Sequence, residues 1–307
     1  MKQPKLILAL VLGLALYAAA TVGSASGAPA AGGTLAQSLG CNPAAPAPVF
    51  LGRGSTLREP DLGQVADNMP TSAQGQAEAD FSATVPVYFH VVTDGSMGNV
   101  TRAQIEAQMD VLNNTFSGGE GGSNTGFSFE LKGVTRTDNA KWFYASIGGA
   151  EKDMKKTLHQ GGSKALNLYS TTAGPYLGWA YLPDVTNKGN AVLDGVVFDW
   201  ESIPGTSTTY AGRYDKGETA THEVGHWLNL EHTFFGGCAD KGDFVDDTPA
   251  EKTPTSGCPA GKDTCPKDPG LDPIHNYMDY SYDACYTEFT PGQATRMAQQ
   301  WLYYRAD

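Results

Sequence analysis

From Phe81 onward the order of apolar and polar residues specifies recognisable elements. Val85 to Val92 is dense in Val, Tyr and Phe, the composition of a strand. Thr101 opens a helix, with Gln104 placed for a capping box and Ile105, Met109, Leu112 and Phe116 along one face. Phe127, Phe129 and Leu131 alternate with polar residues, as a half-buried strand does. Ala150 to Gln160 is expected to be helical, and Leu166 to Ser170 and Leu193 to Trp200 read as two further strands. Strands interspersed with helices predict an α/β or α+β layer. After His232 the chain is rich in Gly, Pro and Asp until Thr290 (cap) and Pro291 (first turn) start a last helix with Met297 and Trp301 on one face.

The residues before Phe81 have a different texture. Lys2 and Lys5 precede an apolar run from Leu6 to Ala20, and small residues follow to Ala31. This reads as a cleaved export signal over residues 1–26. A membrane anchor needs about 20 apolar residues, more than this run supplies, so no membrane association is expected once the signal is removed. Residues 27–80, rich in Ala, Pro, Gly and Gln, are a poor core-former and read as a pro-segment or linker ahead of one domain over 81–307. The net charge of −12 argues against nucleic acid as a partner. A monomer is expected.

Four cysteines, Cys238, Cys258, Cys265 and Cys285, fall in the last third. An exported chain meets oxidising conditions, so two disulfides are expected, and spacing leaves the three pairings open. The fifth, Cys41, lies in the suspected pro-segment. Its thiolate could fill the fourth position of a metal site and keep a precursor silent.

The chemistry concentrates in His222-Glu223-Val224-Gly225-His226-Trp227-Leu228-Asn229-Leu230-Glu231-His232. Ala220, Val224, Trp227 and Leu228 gather on one helix face, and His222 and His226 lie one turn apart on roughly the other. Two imidazoles so stacked can bind one metal ion, and Glu223 is within reach of a water on it. On a continued helix His232 would lie roughly 15 Å from His222, too far to share an ion. The helix must stop and the chain must reverse, which calls for a left-handed residue; Asn229 is the usual second choice after glycine. Three of the six histidines fall within these eleven residues. His90, His159 and His275 read as ordinary strand, helix and loop residues.

This stretch resembles the metzincin zinc motif HExxHxxGxxH, and Asn276-Tyr277-Met278-Asp279-Tyr280 resembles the methionine-containing turn that follows it. With Trp227-Leu228, Thr233-Phe234 and Asp247-Thr248-Pro249, the chain most resembles the pappalysin (cytophagalysin-like) family, from about Val85 to the last helix and most closely from Thr219 to Met297. Asn229 departs from the glycine usual there.

The resemblance implies an α+β catalytic domain: a mixed twisted sheet, an active-site helix, an irregular disulfide-stapled lower part and a C-terminal helix. It implies a secreted zinc endopeptidase with His222, His226 and His232 as ligands and Glu223 as general base. Met278 would form an apolar floor beneath the metal, and Tyr280 would approach the metal and the oxyanion. It also implies the pairings Cys238–Cys265 and Cys258–Cys285, each contributing on the order of 3 kcal/mol. Asp283 would wall the pocket for the residue after the cut bond and favour Arg or Lys. Asp243, Asp246, Asp247 and Thr248 cluster oxygen ligands in a Gly-rich loop, as calcium sites do, and the resemblance supports calcium there. A peptide substrate is expected to align on an edge strand, for which Leu166 to Ser170 is the candidate.

The competing reading is a zinc-containing extracellular binding or adhesion module with a vestigial site. Retention of Glu223 argues against it, because a structural zinc site has no use for a base. A zinc hydrolase acting on a cell-wall peptide cross-link is a third reading, and no appended wall-binding repeat supports it.

Overall fold

In a computed structural model, Glu59, Pro60, Leu62 and residues 81–144, 147–187, 189–239 and 242–306 are described. Strand β1 (Ala83–Thr93) is buried on both faces over its second half, which places it inside a sheet. Helix α1 (Arg102–Phe116) follows, its capping box formed by Thr101 and Gln104 and its buried face carrying Ile105, Met109, Leu112 and Phe116. The chain returns as β2 (Phe127–Asp138), parallel to β1, then runs through α2 (Ala140–Phe143) and α3 (Gly149–Leu158) into β3 (Leu166–Thr171). β4 (Gly178–Ala180), α4 (Pro183–Asn187) and β5 (Val196–Asp199) complete the sheet.

The strand order is β2-β1-β3-β5-β4, parallel throughout except that β4 runs antiparallel to β5. This corrects one expectation: Leu166–Thr171 is not an edge strand but lies between β1 and β5, with all six residues buried. The edge near the long C-terminal region is β4, three residues long and too short for alternation to reveal. Trp179, at its centre, is fully buried and donates from Nε1 to Glu151 Oε1 at 2.8 Å, which ties the edge strand to α3.

Helix α5 (Glu218–Trp227) packs beneath the sheet, and all ten of its residues are buried. Its apolar face joins Phe89, Leu168 and Phe198 of the sheet in the main core. The remainder is largely irregular until α6 (Pro291–Tyr304), which has its own Thr290/Gln293 capping box and brings Trp301 to 5.9 Å from Trp227. Two disulfides staple this region, Cys238–Cys265 and Cys258–Cys285, each spanning 27 residues. The fold is α+β with a mixed five-stranded sheet. No helix among the described residues is long and apolar enough to cross a membrane.

Candidate metal centre and cleft

Helix α5 ends because Asn229 adopts a left-handed conformation, φ 73°. Its N–H donates to His226 O at 2.8 Å, and the N–H of Leu230 reaches back to Gly225 O at 3.0 Å. The Arg296 side chain of α6 holds the turn from outside, donating to Asn229 O at 3.1 Å. The reversal brings His232 back under the helix. Nε2 of His226 lies 3.1 Å from Nε2 of His222 and 3.1 Å from Nε2 of His232.

The outer nitrogens decide what this centre can hold. Nδ1 of His222 lies 2.5 Å from Tyr277 O, and Nδ1 of His226 lies 2.7 Å from Leu230 O. A carbonyl only accepts, so each Nδ1 carries the proton and each Nε2 turns a lone pair inward. Lone pairs facing one another at that distance repel unless a cation sits among them. Zinc–nitrogen bonds of about 2.05 Å at tetrahedral angles would separate the nitrogens by roughly 3.3 Å. The donor set fits zinc.

Glu223 is 1% exposed, and among the described residues its Oε2 has no hydrogen-bond partner. Burial, reinforced by the nearby Glu59 carboxylate, pushes its carboxyl well above the usual range. It lies directly under β4: a Cβ at Gly178 would stand 2.8 Å from Glu223 Oε1, so the edge strand passes over this carboxylate only as glycine. Met278 is fully buried on the other side, and a Cβ at Gly225 would meet its sulfur at 2.4 Å. The turn carrying Met278 is fixed by Asn276, whose side chain accepts from the Met278 N–H at 3.0 Å and pairs with Gln293 of α6. The Tyr280 ring lies 4.9 Å from His232 and 5.8 Å from His222.

Beside the imidazoles is a small cavity whose lining includes Leu177, Tyr214, Glu218, Tyr286 and Asp283. Asp283 is 4% exposed and accepts from the Lys216 N–H at 2.8 Å. Glu218, in the first turn of α5, is a second carboxylate there that sequence reasoning missed; one turn before His222, it could have been read from the four-residue spacing. It is 3% exposed, and its Oε2 has no hydrogen-bond partner among the described residues. Burial first, then Asp283 and Glu120, pushes its carboxyl up to about 9.

That shift has a consequence for stability. Below its ordinary value of 4.5 the Glu218 carboxyl is protonated folded or unfolded, and it contributes nothing. Between that value and about 9 the unfolded chain releases the proton while the folded chain keeps it, so stability falls as pH rises. Glu218→Gln is expected to raise Tm at pH 8 by several degrees, from on the order of 2 kcal/mol, and to leave it unchanged near pH 4. Thermal melts of both proteins at the two pH values check this.

The loop proposed for calcium is partly committed elsewhere. Asp247 accepts from Thr290 Oγ1 at 2.6 Å and from the Gly292 N–H at 2.7 Å, capping α6, while Asp246 is exposed. Asp243 Oδ1 accepts from Thr248 Oγ1 at 2.7 Å, and its buried Oδ2 has no hydrogen-bond partner among the described residues. Burial pushes the Asp243 carboxyl up to about 7. Cys41 lies outside the described residues. A residue that sequence reasoning left in the pro-segment is at the centre instead: Glu59 places Oε1 2.5 Å from His222 Nε2 and 2.9 Å from His232 Nε2. No local signal marks it, since a single Glu in a Pro- and Gly-rich stretch is ordinary. His90, by contrast, is a satisfied sheet residue, hydrogen-bonded to Thr135 and Asn167.

Residues 164–301 match the family described as pregnancy-associated plasma protein-A. An extracellular metalloprotease of Neurospora crassa is 42% identical over 293 residues, covering 92% of this chain and 96% of that one. One of Sordaria macrospora is 47% identical over 242 residues, covering 77% and 81%. Among solved structures, mature mirolysin of Tannerella forsythia in complex with a cleaved peptide is 31% identical with a TM-score of 0.60, over 71% of this chain and 90% of that one. A mutant promirolysin of the same organism is 30% identical with a TM-score of 0.62, over 73% and 82%.

Proposed function

Because the chain belongs to the pregnancy-associated plasma protein-A peptidase family and is an extracellular metalloendopeptidase, we propose that it cuts peptide bonds with one zinc ion held by His222, His226 and His232. The observation carrying this reading is the convergence of inward Nε2 lone pairs, 3.1 Å apart, beside a buried carboxylate with an unpartnered oxygen. Bound zinc would supply a polarised carbonyl and an acidified water. Glu223 then takes the proton of the attacking water and delivers it to the leaving amine. Tyr280, its ring 4.9 Å from that of His232, donates to the developing oxyanion, and Met278 forms the apolar floor below the imidazoles.

An extended substrate would lie along the outer edge of β4, its backbone pairing with Gly178–Ala180. The cleaved peptide in the mirolysin complex supports a peptide occupant. The cavity with Asp283 and Glu218 takes the side chain after the cut bond, and the Asp283 carboxylate, joined by Glu218 when an arriving cation draws off its proton, selects Arg or Lys. In peptides differing only at that position, Asp283→Asn combined with Glu218→Gln is expected to lower kcat/KM for Arg about 100-fold, roughly 2.7 kcal/mol, and for Leu by less than about threefold. Equal losses for both peptides would remove the pocket assignment.

Calcium in the Asp243–Thr248 loop is part of the same proposal, with Asp243 Oδ2 as a ligand. Millimolar calcium should raise the Tm of the zinc-loaded protein by a few degrees and should not raise that of Asp243→Asn. The enzyme reading as a whole is tested on casein, with and without a chelator, beside Glu223→Ala. Proteolysis surviving both treatments rejects it, and no cleavage by the zinc-loaded, processed protein favours the binding module.

A further inference from the structure

We infer that the segment before the catalytic domain silences the enzyme through Glu59, which closes the metal centre as a fourth, carboxylate ligand. This goes beyond the proposed activity and rests on its assignment of the three imidazoles.

Glu59 sets both carboxylate oxygens against the three imidazoles: Oε1 at 2.5 Å from His222 Nε2 and 2.9 Å from His232 Nε2, Oε2 at 3.2 Å from His226 Nε2. Its side chain is 9% exposed. A carboxylate only accepts, and at least two of the three nitrogens are acceptors because their Nδ1 atoms hold the protons. Acceptors crowd together like this around a cation. Three nitrogens and one carboxylate oxygen complete a tetrahedral zinc site, and a complete site lacks the open position that hydrolysis requires.

The neighbouring residues close the cleft as well. Pro60 and Leu62 line the cleft wall formed by Ala180 and Leu182, and Leu62 packs on the cluster containing Trp179 and Tyr181. The segment therefore runs where a substrate would pair with β4. Because β1 begins only at Ala83, a cut between Leu62 and Phe81 would release the carboxylate and leave the sheet whole. A Cys41 thiolate acting as the switch would need the same coordination position, and only one of the two can hold it.

The test uses the full-length chain with a specific protease site placed between Leu62 and Phe81, as wild type, Glu59→Ala and Cys41→Ser. Hydrolysis of a short fluorogenic peptide is measured before and after cutting. Glu59→Ala should be at least 10-fold more active than wild type before cutting, and all three should share one kcat/KM afterwards, when residue 59 is gone from each. In a Glu223→Gln background, which keeps the precursor whole, zinc X-ray absorption should show only nitrogen and oxygen at about 2.0–2.2 Å, with one such neighbour fewer or replaced by water in Glu59→Ala. A sulfur neighbour at about 2.3 Å that Cys41→Ser removes, or a Glu59→Ala precursor as silent as wild type, overturns the inference. A cut wild-type protein that binds no zinc or cleaves nothing contradicts the underlying enzyme reading instead.

Discussion

Glu223→Gln is expected to lower kcat for peptide hydrolysis about 10⁴-fold while the protein still binds one zinc. The glutamine keeps the shape but can neither take a proton from water nor return it to the amine. In the proposed mechanism both halves of the reaction depend on that transfer, which is why the expected loss lies at the upper end of what a single acid–base group supplies. Glu223 is covered by Gly178 of the edge strand, where a Cβ would stand 2.8 Å from Oε1. Metal content by mass spectrometry and kcat on a fluorogenic peptide check this together. A loss below about tenfold with zinc retained would move the base to another residue.

The second large effect is expected at Asn229, which touches neither substrate nor metal. Its φ of 73° is tolerable for asparagine and strained for a β-branched residue, by roughly 1–3 kcal/mol. Asn229→Val is therefore expected to straighten the turn and withdraw His232. Zinc affinity, measured by competition with a chelating dye, should fall by at least about 100-fold, and activity should fall with it. Asn229→Gly, free of the strain, should bind zinc within about threefold of wild type. If valine binds zinc as asparagine does, the reversal does not depend on this residue.

Much of the fold could be read from the sequence because its signals are local. The capping boxes at Thr101 and Thr290 and the four-residue apolar spacing of α1 and α6 each depend on neighbours within a few positions. The sheet was less legible. Strand order is a non-local property, and the fully buried Leu166–Thr171 could be taken for an edge because its polar Asn167 and Ser170 imitate a partly exposed strand. The structure shows these polar groups hydrogen-bonded inside the sheet, Asn167 with His90 and Gln160, and Ser170 with His90 O. The opposite failure hid β4, whose three residues are too few for any period.

The site divides in the same way. The helix carrying His222, Glu223 and His226 and the turn that recruits His232 lie within one short stretch, so spacing alone suggested their convergence. The disulfide pairing needed the family resemblance, since spacing left three arrangements open. Glu218 and Asp283, 65 residues apart in the chain, line one cavity, and the Cys258–Cys285 staple and the Lys216–Asp283 hydrogen bond hold the loop there. Glu59 is farther still, more than 160 residues from the histidines it faces, in a stretch with no pattern to mark it.

The central claim, that three imidazoles and one zinc ion make this chain a peptidase, is tested most directly by titrating zinc into the metal-free, processed protein and following peptide hydrolysis. Activity should rise from zero and level off at one zinc per chain, in parallel with metal bound. Hydrolysis by the metal-free protein, or none at any zinc level although one ion binds, would contradict it.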